Sequence, residues 1–225
     1  MMDWAAFSLS LQLAAWTVTL LLPIAILIAR LLAWGRFRFK SVAETLLLLP
    51  LVLPPTVLGF YLLLAFSPQS AFGAALKSMF GGQLVFSFAG ILVASLIVNL
   101  PFAVQPIQRA FEAIPPNVRE AAFVSGLSRW ETLRRIELPL AWPGIVSAVA
   151  LTFAHTLGEF GVILMIGGSI PGETRVLSIS IYDSVQAFRV GDAGVMSAVL
   201  LAFSLTAIAI VHMLGRRQRT GTHGP

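Results

Sequence analysis

The chain has 225 residues, of which 57% are hydrophobic and only 11% charged, and its mean hydropathy is +0.88. A water-soluble domain usually carries about 25% charged residues, so this composition excludes an ordinary soluble protein. The sequence contains no cysteine, which excludes disulfides and cysteine-based metal sites. The net charge of +5 does not indicate nucleic-acid binding, because the basic residues lie between apolar blocks rather than in one patch.

Stretches without charge predict five membrane-spanning helices, each of which needs about 20 largely apolar residues. In chain order they are Trp4–Ala29, Thr45–Leu76, Ser78–Gln108, Leu138–Gly158 with an apolar continuation to Ile166, and Ala193–Gly215. Long apolar runs without alternation favour helices over strands in lipid. The start Met1-Met2-Asp3 has no basic region, so we expect the first helix to be retained rather than cleaved as a signal peptide. We predict an all-α integral membrane protein with about five transmembrane helices in a single domain, residues 1–225.

The basic residues predict the orientation of these helices, since lysine and arginine favour the cytoplasmic side of a membrane. Twelve of them follow the first, third and fifth helices: Arg30, Arg36, Arg38, Lys40, Arg109, Arg119, Arg129, Arg134, Arg135, Arg216, Arg217 and Arg219. On the opposite side there are three, Lys77, Arg175 and Arg189. We therefore predict that the N-terminus lies outside and the C-terminus in the cytoplasm.

Prolines interrupt the predicted helices, most densely at Pro50, Pro54 and Pro55 in the second. Each removes a backbone hydrogen bond and can kink or break its helix. Bent helices suit a transport pathway, although prolines are also simply commoner in membrane helices.

Residues 115–139, here called the elbow, predict two short helices between the third and fourth spans. Two N-terminal caps are indicated, Asn117 with Glu120 and Ser128 with Glu131. Gly126 supplies a left-handed end to the first helix, and Pro139 is expected to end the second. The product is a rigid helix–glycine–helix unit at the membrane surface.

The elbow carries two small apolar faces. Ala121 and Val124 form one on the first helix, and Trp130, Leu133 and Ile136 form one on the second. From the residues alone these faces suit either a partner protein or the surface of the lipid bilayer.

The elbow resembles the EAA loop of ABC importer permeases. The resemblance rests on Glu120-Ala121-Ala122, Gly126, Ile136, Leu138 and Pro139. It implies that the elbow is a coupling helix that docks on a cytoplasmic ATPase subunit, with Glu120 in contact and Gly126 at the turn. The coupling residues implied are Glu120, Ala121, Ala122, Gly126, Ser128, Arg129 and Trp130.

Three further segments resemble the molybdate and tungstate branch of the sulfate, thiosulfate and molybdate permeases: residues 49–59, 157–161 and 170–175. The resemblance implies a type I ABC importer permease fold in the inner membrane, a substrate-binding protein outside, and molybdate or tungstate as cargo. Sulfate or thiosulfate is the alternative cargo. The resemblance also implies a transport subunit rather than an enzyme, with neither catalytic residues nor a cofactor.

The energy source is expected on another subunit, because the sequence has no G-x-x-x-x-G-K-[ST] phosphate loop. The sequence has no internal repeat either, so a homodimer would supply the symmetry of a two-fold pathway. An ion-coupled secondary transporter is a further alternative, but it would need buried coupling carboxylates and usually repeats. A membrane-embedded enzyme would need a convergent polar cluster.

The predicted pathway is weakly polar, since the interiors of the five spans contain no lysine or arginine. Weak binding suits a conduit, which must release its cargo. The hydroxyl and amide groups available include Thr56, Tyr61, Ser95, Asn99 and Thr156. The residues predicted to line the pathway or gate are Thr56, Asn99 and Glu159.

Glu159 is acidic within a long apolar run, which is a functional hypothesis by default. Three roles remain open for it: a gate or dimer-interface brace, a structural hydrogen bond, or direct contact with the anion. It could also pair with Arg175. His155, one turn earlier, is interpreted as an interior histidine rather than a metal ligand, because no second ligand is apparent.

The outer loop, residues 167–192, is too long for a simple turn. Leu177, Ile181, Val185 and Phe188 recur at helical spacing and predict a short outer helix. This helix could pack on the bundle, meet a binding protein, or do both.

Overall fold

The computed structural model describes residues 1–217, with the backbone alone for residues 76, 79, 80, 210–212 and 214–217. Its elements are α1 (Trp4–Trp34), α2 (Lys40–Val52), α3 (Pro55–Phe66), α4 (Ala71–Phe80), α5 (Phe88–Glu112), α6 (Pro116–Val124), α7 (Arg129–Thr132), a π-helical turn (Leu133–Glu137), α8 (Leu138–Leu140), α9 (Trp142–Gly158), α10 (Gly161–Gly167), α11 (Leu177–Gln186) and α12 (Val190–Arg217). Every regular element in this range is helical, as predicted. Arg219, which contributes to the predicted orientation, lies outside the described residues.

Three helices are each long and apolar enough to cross a membrane: α1, α5 and the Val190–Ala209 part of α12. Two bent pairs can supply two more spans. The pair α2 and α3 bends by 111°, and the Arg129–Leu140 segment meets α9 at 73°. The described chain therefore has three to five candidate spans, which agrees with the prediction of about five.

The proline cluster of the second predicted span accounts for its sharp bend. Leu53 is extended at the end of α2, Pro54 is extended before α3, and Pro55 opens α3, where its missing N–H costs nothing. Pro23 and Pro106, by contrast, lie inside α1 and α5 without ending them. The cluster, rather than any single proline, breaks the helix.

The core forms where α1, α5 and α9 pack side by side. Small residues on α1, including the fully buried Ala25 and Ala29, face Ile107 and Phe111 of α5. Small residues let membrane helices approach closely, so dispersion contacts replace the hydrophobic effect that lipid does not supply. A second contact joins α3 to α10, where a Cβ on Gly59 would come 2.8 Å from the Cβ of Met165.

Two predicted boundaries of the elbow are wrong. Asn117 does not cap α6; the cap position is Pro115, and the Asn117 side chain accepts a bond from the adjacent Val118 N–H at 3.1 Å. Prolines at the start pre-set the backbone for the first turn, so no side-chain cap is required. Pro139 does not end the second helix either. It lies in the first turn of α8, and the chain bends only at Ala141.

Two predicted spans also have different bounds. The third does not begin near Ser78, because residues 81–87 form a loop that starts with Gly81 in the left-handed conformation at φ +71°, so α5 begins at Phe88. The fourth begins at Trp142 rather than at Leu138, because the chain bends at Ala141. The helix ends at Gly158, and Glu159 and Phe160 separate α9 from α10.

Candidate functional site

The turn of the elbow has the geometry that the sequence predicts. Gly126 has φ +79°, in the left-handed region that favours glycine. The N–H of Leu127 donates to the carbonyl of Ala122 at 3.1 Å, which is the six-to-one bond of a Schellman ending. No atom lies within 4 Å of a Cβ built on Gly126. The requirement for glycine is therefore conformational and does not come from crowding.

A capping box begins the second part of the elbow and confirms the predicted pair. The Ser128 hydroxyl accepts from the N–H of Glu131 at 3.3 Å, and a Glu131 carboxylate oxygen accepts from the Ser128 N–H at 3.0 Å. The backbone N–H of Ser128 is the main reason that the pKa of Glu131 lies below its ordinary value, followed by the Ser128 hydroxyl. The charged box fixes the direction in which α7 leaves the turn.

The predicted coupling residues are mostly accessible. Glu120, Ala121, Gly126, Ser128, Arg129 and Trp130 are exposed, whereas Ala122 is buried. Large apolar side chains stand among them, with Val124 90% and Trp130 66% exposed. The predicted face on the second helix is split, because Leu133 is buried in the core. The elbow thus offers an exposed apolar and polar surface around one rigid turn.

A buried carboxylate, which the sequence analysis missed, joins the elbow to α1. Glu137 is fully buried and accepts two hydrogen bonds from Arg30, from Nε to Oε2 at 2.6 Å and from Nη2 to Oε1 at 3.2 Å. Nε of Arg119 lies 3.2 Å from the same Oε1, and its guanidinium stacks on Trp34 at 3.6 Å. Bidentate charge-assisted pairs of this kind fix geometry as well as adding energy. The end of α1 and both halves of the elbow are therefore held as one unit.

A signal for this contact was present in the sequence. Glu137 stands between the apolar Ile136 and Leu138, shortly after Arg134 and Arg135. Arg30 directly ends the apolar run of the first span. A carboxylate flanked by apolar residues near several arginines is a candidate buried ion pair.

Inside the membrane-spanning part, five side chains form a connected line, here called the polar strip: Thr17, Ser95, Asn99, His155 and Glu159. The Thr17 hydroxyl donates to Ser95 Oγ at 3.0 Å, and Asn99 Nδ2 donates to the Ser95 carbonyl at 2.8 Å. His155 Nδ1 lies 3.2 Å from Asn99 Oδ1, and its Nε2 lies 3.8 Å from Glu159 Oε2. The strip crosses from α1 through α5 to the end of α9.

Glu159 works as a local cap in this arrangement. Its Oε1 accepts from the N–H of Val162 at 3.1 Å, at the start of α10, and its backbone carbonyl accepts from Ser178 Oγ at 2.7 Å. The suggested pairing with Arg175 is wrong. The Arg175 Nε instead lies 3.7 Å from Asp183 Oδ2 and donates to Ser169 Oγ at 3.0 Å.

The structure brings two of the three predicted pathway residues into one strip and places the third beside it. Asn99 and Glu159 are both buried and linked through His155, whereas the Thr56 side chain is exposed at the start of α3. A Cβ on Gly161 would lie 2.8 Å from Pro55 Cβ and 3.6 Å from the Thr56 nitrogen. The proline bend and the break at Glu159 therefore meet.

The outer helix exists, but its buried face differs from the predicted one. In α11, Leu177, Ile179, Ser180 and Ser184 are buried, while Val185 is exposed and Phe188 lies beyond the helix, 92% exposed at φ +58°. The N–H of Leu177 donates to Ser10 Oγ at 2.8 Å, and Ser180 Oγ donates to Asp3 Oδ2 at 3.0 Å. Packing on the bundle, one of the two predicted roles, is confirmed.

Residues 22–220 match the family model described as the inner membrane component of binding-protein-dependent transport systems. The chain belongs to this family. It is a multi-pass inner-membrane permease. Transport permeases of this kind are not themselves enzymes.

Curated relatives of the permease include molybdenum and sulfate transport proteins. The molybdenum transport system permease protein ModB of Azotobacter vinelandii is 43% identical over 97% of this chain and 96% of that protein. The ModB of Escherichia coli K12 is 34% identical over 93% of this chain and 91% of that protein. The sulfate transport system permease protein CysT of Escherichia coli K12 is also 34% identical, over 83% of this chain and 69% of that protein.

Solved structures support the fold. A bacterial ABC transporter that imports the acidic polysaccharide alginate aligns with a TM-score of 0.76 at 20% identity, over 95% of this chain and 78% of that one. An amino acid ABC transporter solved with histidines aligns with a TM-score of 0.63 at 19% identity, over 94% and 92%. The permease has the type I ABC importer fold, as the resemblance implied.

Proposed function

We propose that this permease is the membrane-spanning subunit of an ABC importer that moves molybdate, or tungstate, into the cytoplasm. ATP hydrolysis takes place on a partner subunit. The assignment of molybdate as cargo rests on the 43% identity over nearly the full length of a molybdenum permease. The observation that favours coupling is the exposed elbow, which is fixed internally by Gly126 and the Glu131 box and is anchored on α1 by Glu137.

Three partners follow from this proposal. An ATPase subunit docks on the elbow, where Val124 and Trp130 offer exposed apolar surface beside Glu120. A substrate-binding protein approaches the outer face, since the alginate transporter was solved with a substrate-bound periplasmic protein. A second copy of the permease completes the pathway. When ATP draws the two ATPase subunits together, the elbows move with them and α1 follows through the Arg30–Glu137 contact.

The orientation with the N-terminus outside is part of the proposal. Arg30, Arg119, Arg129 and Glu137 gather at one end of the bundle, where α1 and the elbow meet. Asp3 at the start of α1 contacts α11 at the other end. The denser basic end is assigned to the cytoplasm because lysine and arginine favour that side.

The polar strip supports a pathway that binds its anion weakly. Thr17, Ser95, Asn99 and Glu159 are buried, so the 31%-exposed imidazole of His155 is the group of the strip that can meet an oxyanion. None of the five members is a lysine or arginine. One oxygen of Glu159 is already engaged by Val162 N–H, and its negative charge would repel molybdate. We assign Glu159 to bracing the α9–α10 break, and cargo selection to the binding protein outside.

Sulfate or thiosulfate is the second candidate cargo, because the Escherichia coli sulfate permease is as similar in identity as the Escherichia coli ModB. Length favours molybdate, since the chain matches 91% of that ModB but 69% of the sulfate permease. An ion-coupled secondary transporter does not fit a family of binding-protein-dependent systems.

The proposal is tested by purifying the tagged chain from its native membranes in mild detergent and assaying ATP hydrolysis. We expect an ATPase to co-purify, and molybdate-loaded binding protein to stimulate it. Stimulation by a sulfate-loaded protein instead would keep the importer and change the cargo. A chain that purifies alone would contradict the proposed coupling.

A substitution at the turn tests the role of the elbow. Gly126→Val places a β-branched residue at φ +79°, and we expect the permease to reach the membrane while molybdate uptake is lost. Gly81→Val is the matched control, because Gly81 has φ +71° and equally open surroundings but lies between α4 and α5, away from the elbow. Gly126→Asn should restore part of the uptake, since asparagine tolerates this conformation. Normal uptake in Gly126→Val, or equal loss in both valine variants, would contradict a specific coupling role.

A further inference from the structure

A cavity of about 410 Å³ opens between the end of α1 and the two halves of the elbow. It is lined by three arginines, Arg30, Arg119 and Arg129, and by the apolar side chains of Leu27, Leu31 and Trp34. The elbow's coupling surface does not account for these α1 residues. The cavity therefore needs an explanation of its own.

The charge of the cavity favours an anion. Three guanidinium groups stand against the single carboxylate of Glu137, which leaves a net positive charge of two. The Glu137 carboxylate accepts hydrogen bonds from Nε and Nη2 of Arg30 but only from Nε of Arg119. Each guanidinium has five N–H donors, so both arginines keep donors that Glu137 does not use. Arg129 is exposed, and its backbone carbonyl accepts from Arg30 Nη2 at 3.3 Å. Glu137 thus orients two arginines without neutralising the set.

An apolar stripe on α1 leads into this cavity. Leu20, Ile24, Leu27 and Leu31 are all exposed, and they recur at the three- and four-residue spacing of one helix face. At 1.5 Å per residue the stripe is about 16 Å long. Half of a typical hydrocarbon core is about 15 Å. The stripe matches the depth of one leaflet, and the arginines lie at its end.

We propose that this cavity binds the phosphate of an anionic phospholipid, with one acyl chain lying along the Leu20–Leu31 stripe. Trp34 beside the arginines suits the headgroup level, where aromatic rings concentrate. Basic pockets between helices at the cytoplasmic surface are a known form of lipid recognition. A free oxyanion has no apolar part that could contact the stripe. An acidic surface of an ATPase would not reach along α1 toward the bilayer centre. The inner leaflet as location rests on the proposed orientation, whereas the binding itself does not.

The test measures lipid binding to the full-length permease in detergent by native mass spectrometry, with phosphatidylglycerol, phosphatidylcholine and inorganic phosphate as probes. We expect phosphatidylglycerol to bind several-fold more tightly than phosphatidylcholine. Arg129→Gln should weaken phosphatidylglycerol binding about fivefold, the value of one arginine at an anionic membrane surface. Arg134→Gln is the matched control, because Arg134 is exposed on the same segment but does not line the cavity. Leu27→Asn should weaken lipid binding by removing part of the stripe.

Several outcomes would overturn the proposal. Equal binding of the two lipids, or equal effects of Arg129→Gln and Arg134→Gln, would show that the cavity does not recognise the phosphate. Displacement of the lipid by millimolar inorganic phosphate would indicate a free-oxyanion site. Loss of the bound lipid when the ATPase associates would identify the cavity as part of that interface. Because the readout is lipid binding, failure here would leave the importer proposal intact, and loss of transport activity would not affect this test.

Discussion

Two buried carboxylates, Glu137 in the elbow and Glu159 in the polar strip, are stabilised in opposite ways. Glu137 is held by two guanidinium groups where the elbow meets the end of α1. Glu159, inside the bundle, accepts a hydrogen bond from the backbone N–H of Val162. Its Oε2 lies 3.8 Å from His155 Nε2. At the elbow end of the bundle the arginines remain partly exposed while they pair, since Arg30 and Arg119 are each 23% exposed. In the interior an arginine would cost much more, so a helix N-terminus takes its place.

The difference indicates two tasks. The charged contact at Glu137 is rigid and directional, which suits the proposed transmission of movement from the elbow to α1. The polar strip has weaker, mostly neutral bonds, which suits a region that anions pass or that changes shape. Thr152, three residues before His155 on α9, has a buried hydroxyl without a hydrogen-bond partner among the described residues.

The largest effect is expected from breaking the surface triad. Glu137→Gln leaves two partly buried guanidinium groups without their anion, and we expect a loss of about 3 kcal/mol in the free energy of unfolding. The measurement is thermal unfolding of the purified permease in detergent. Glu112→Gln is the matched control, because its charge pairs only with the exposed Arg109 at 2.9 Å, worth at most about 1 kcal/mol, and glutamine keeps an oxygen that can accept from Gln108 Nε2, at 2.9 Å from Glu112.

A double-mutant cycle sharpens the same prediction. Combining Arg30→Gln with Glu137→Gln should cost less than the sum of the two single variants, because each removes the partner of the other. Additive costs, or a Glu137→Gln variant as stable as Glu112→Gln, would show that the triad is not what holds α1 to the elbow.

The sequence predicted the helical fold, the span count and the left-handed turn at Gly126, because each depends on local chemistry. Apolar length determines a span, and only glycine readily adopts the turn. It drew attention to Glu159, whose surroundings in the chain are apolar, but missed Glu137. Glu137 lies in a charged segment, and its burial depends on Arg30, 107 positions away in the sequence. The apolar neighbours Ile136 and Leu138 mark Glu137 as a candidate for burial, but its distant partner Arg30 leaves no periodicity that a single sequence can reveal.

The errors at Asn117 and Pro139 have a related cause. Both residues have strong propensities at helix ends, but the neighbouring prolines and the π-helical turn determine the backbone there. The outer helix repeats the pattern, since its existence follows from spacing, while its buried face is set by Ser10 and Asp3 of α1.

A smaller effect is expected at the interior carboxylate. Glu159→Leu leaves the N–H of Val162 without its acceptor, and we expect a loss of about 2 kcal/mol in the free energy of unfolding. Glu159→Gln keeps an acceptor oxygen in nearly the same shape, so it should cost under about 1 kcal/mol and retain uptake. Unfolding and molybdate uptake are measured on both variants. A Glu159→Gln variant that folds normally but no longer transports would show that the negative charge, rather than the hydrogen bond, is required.

The smallest effect on folding is expected at Thr56, which is exposed beside the strip rather than part of it. Thr56→Val keeps the side-chain shape and should change stability by less than about 0.5 kcal/mol. If the hydroxyl contacts the passing anion, uptake should fall about threefold, the value of one modest hydrogen bond, while the preference for molybdate over sulfate stays the same. Thr206→Val, which removes an exposed hydroxyl bonded to the Ala202 carbonyl at 2.7 Å in α12, is the control for general effects. Uptake of both anions by both variants is compared in vesicles. A reversed preference in Thr56→Val would show that the membrane pathway itself selects the cargo, and would move selectivity from the binding protein to the bend where Pro55 meets Gly161.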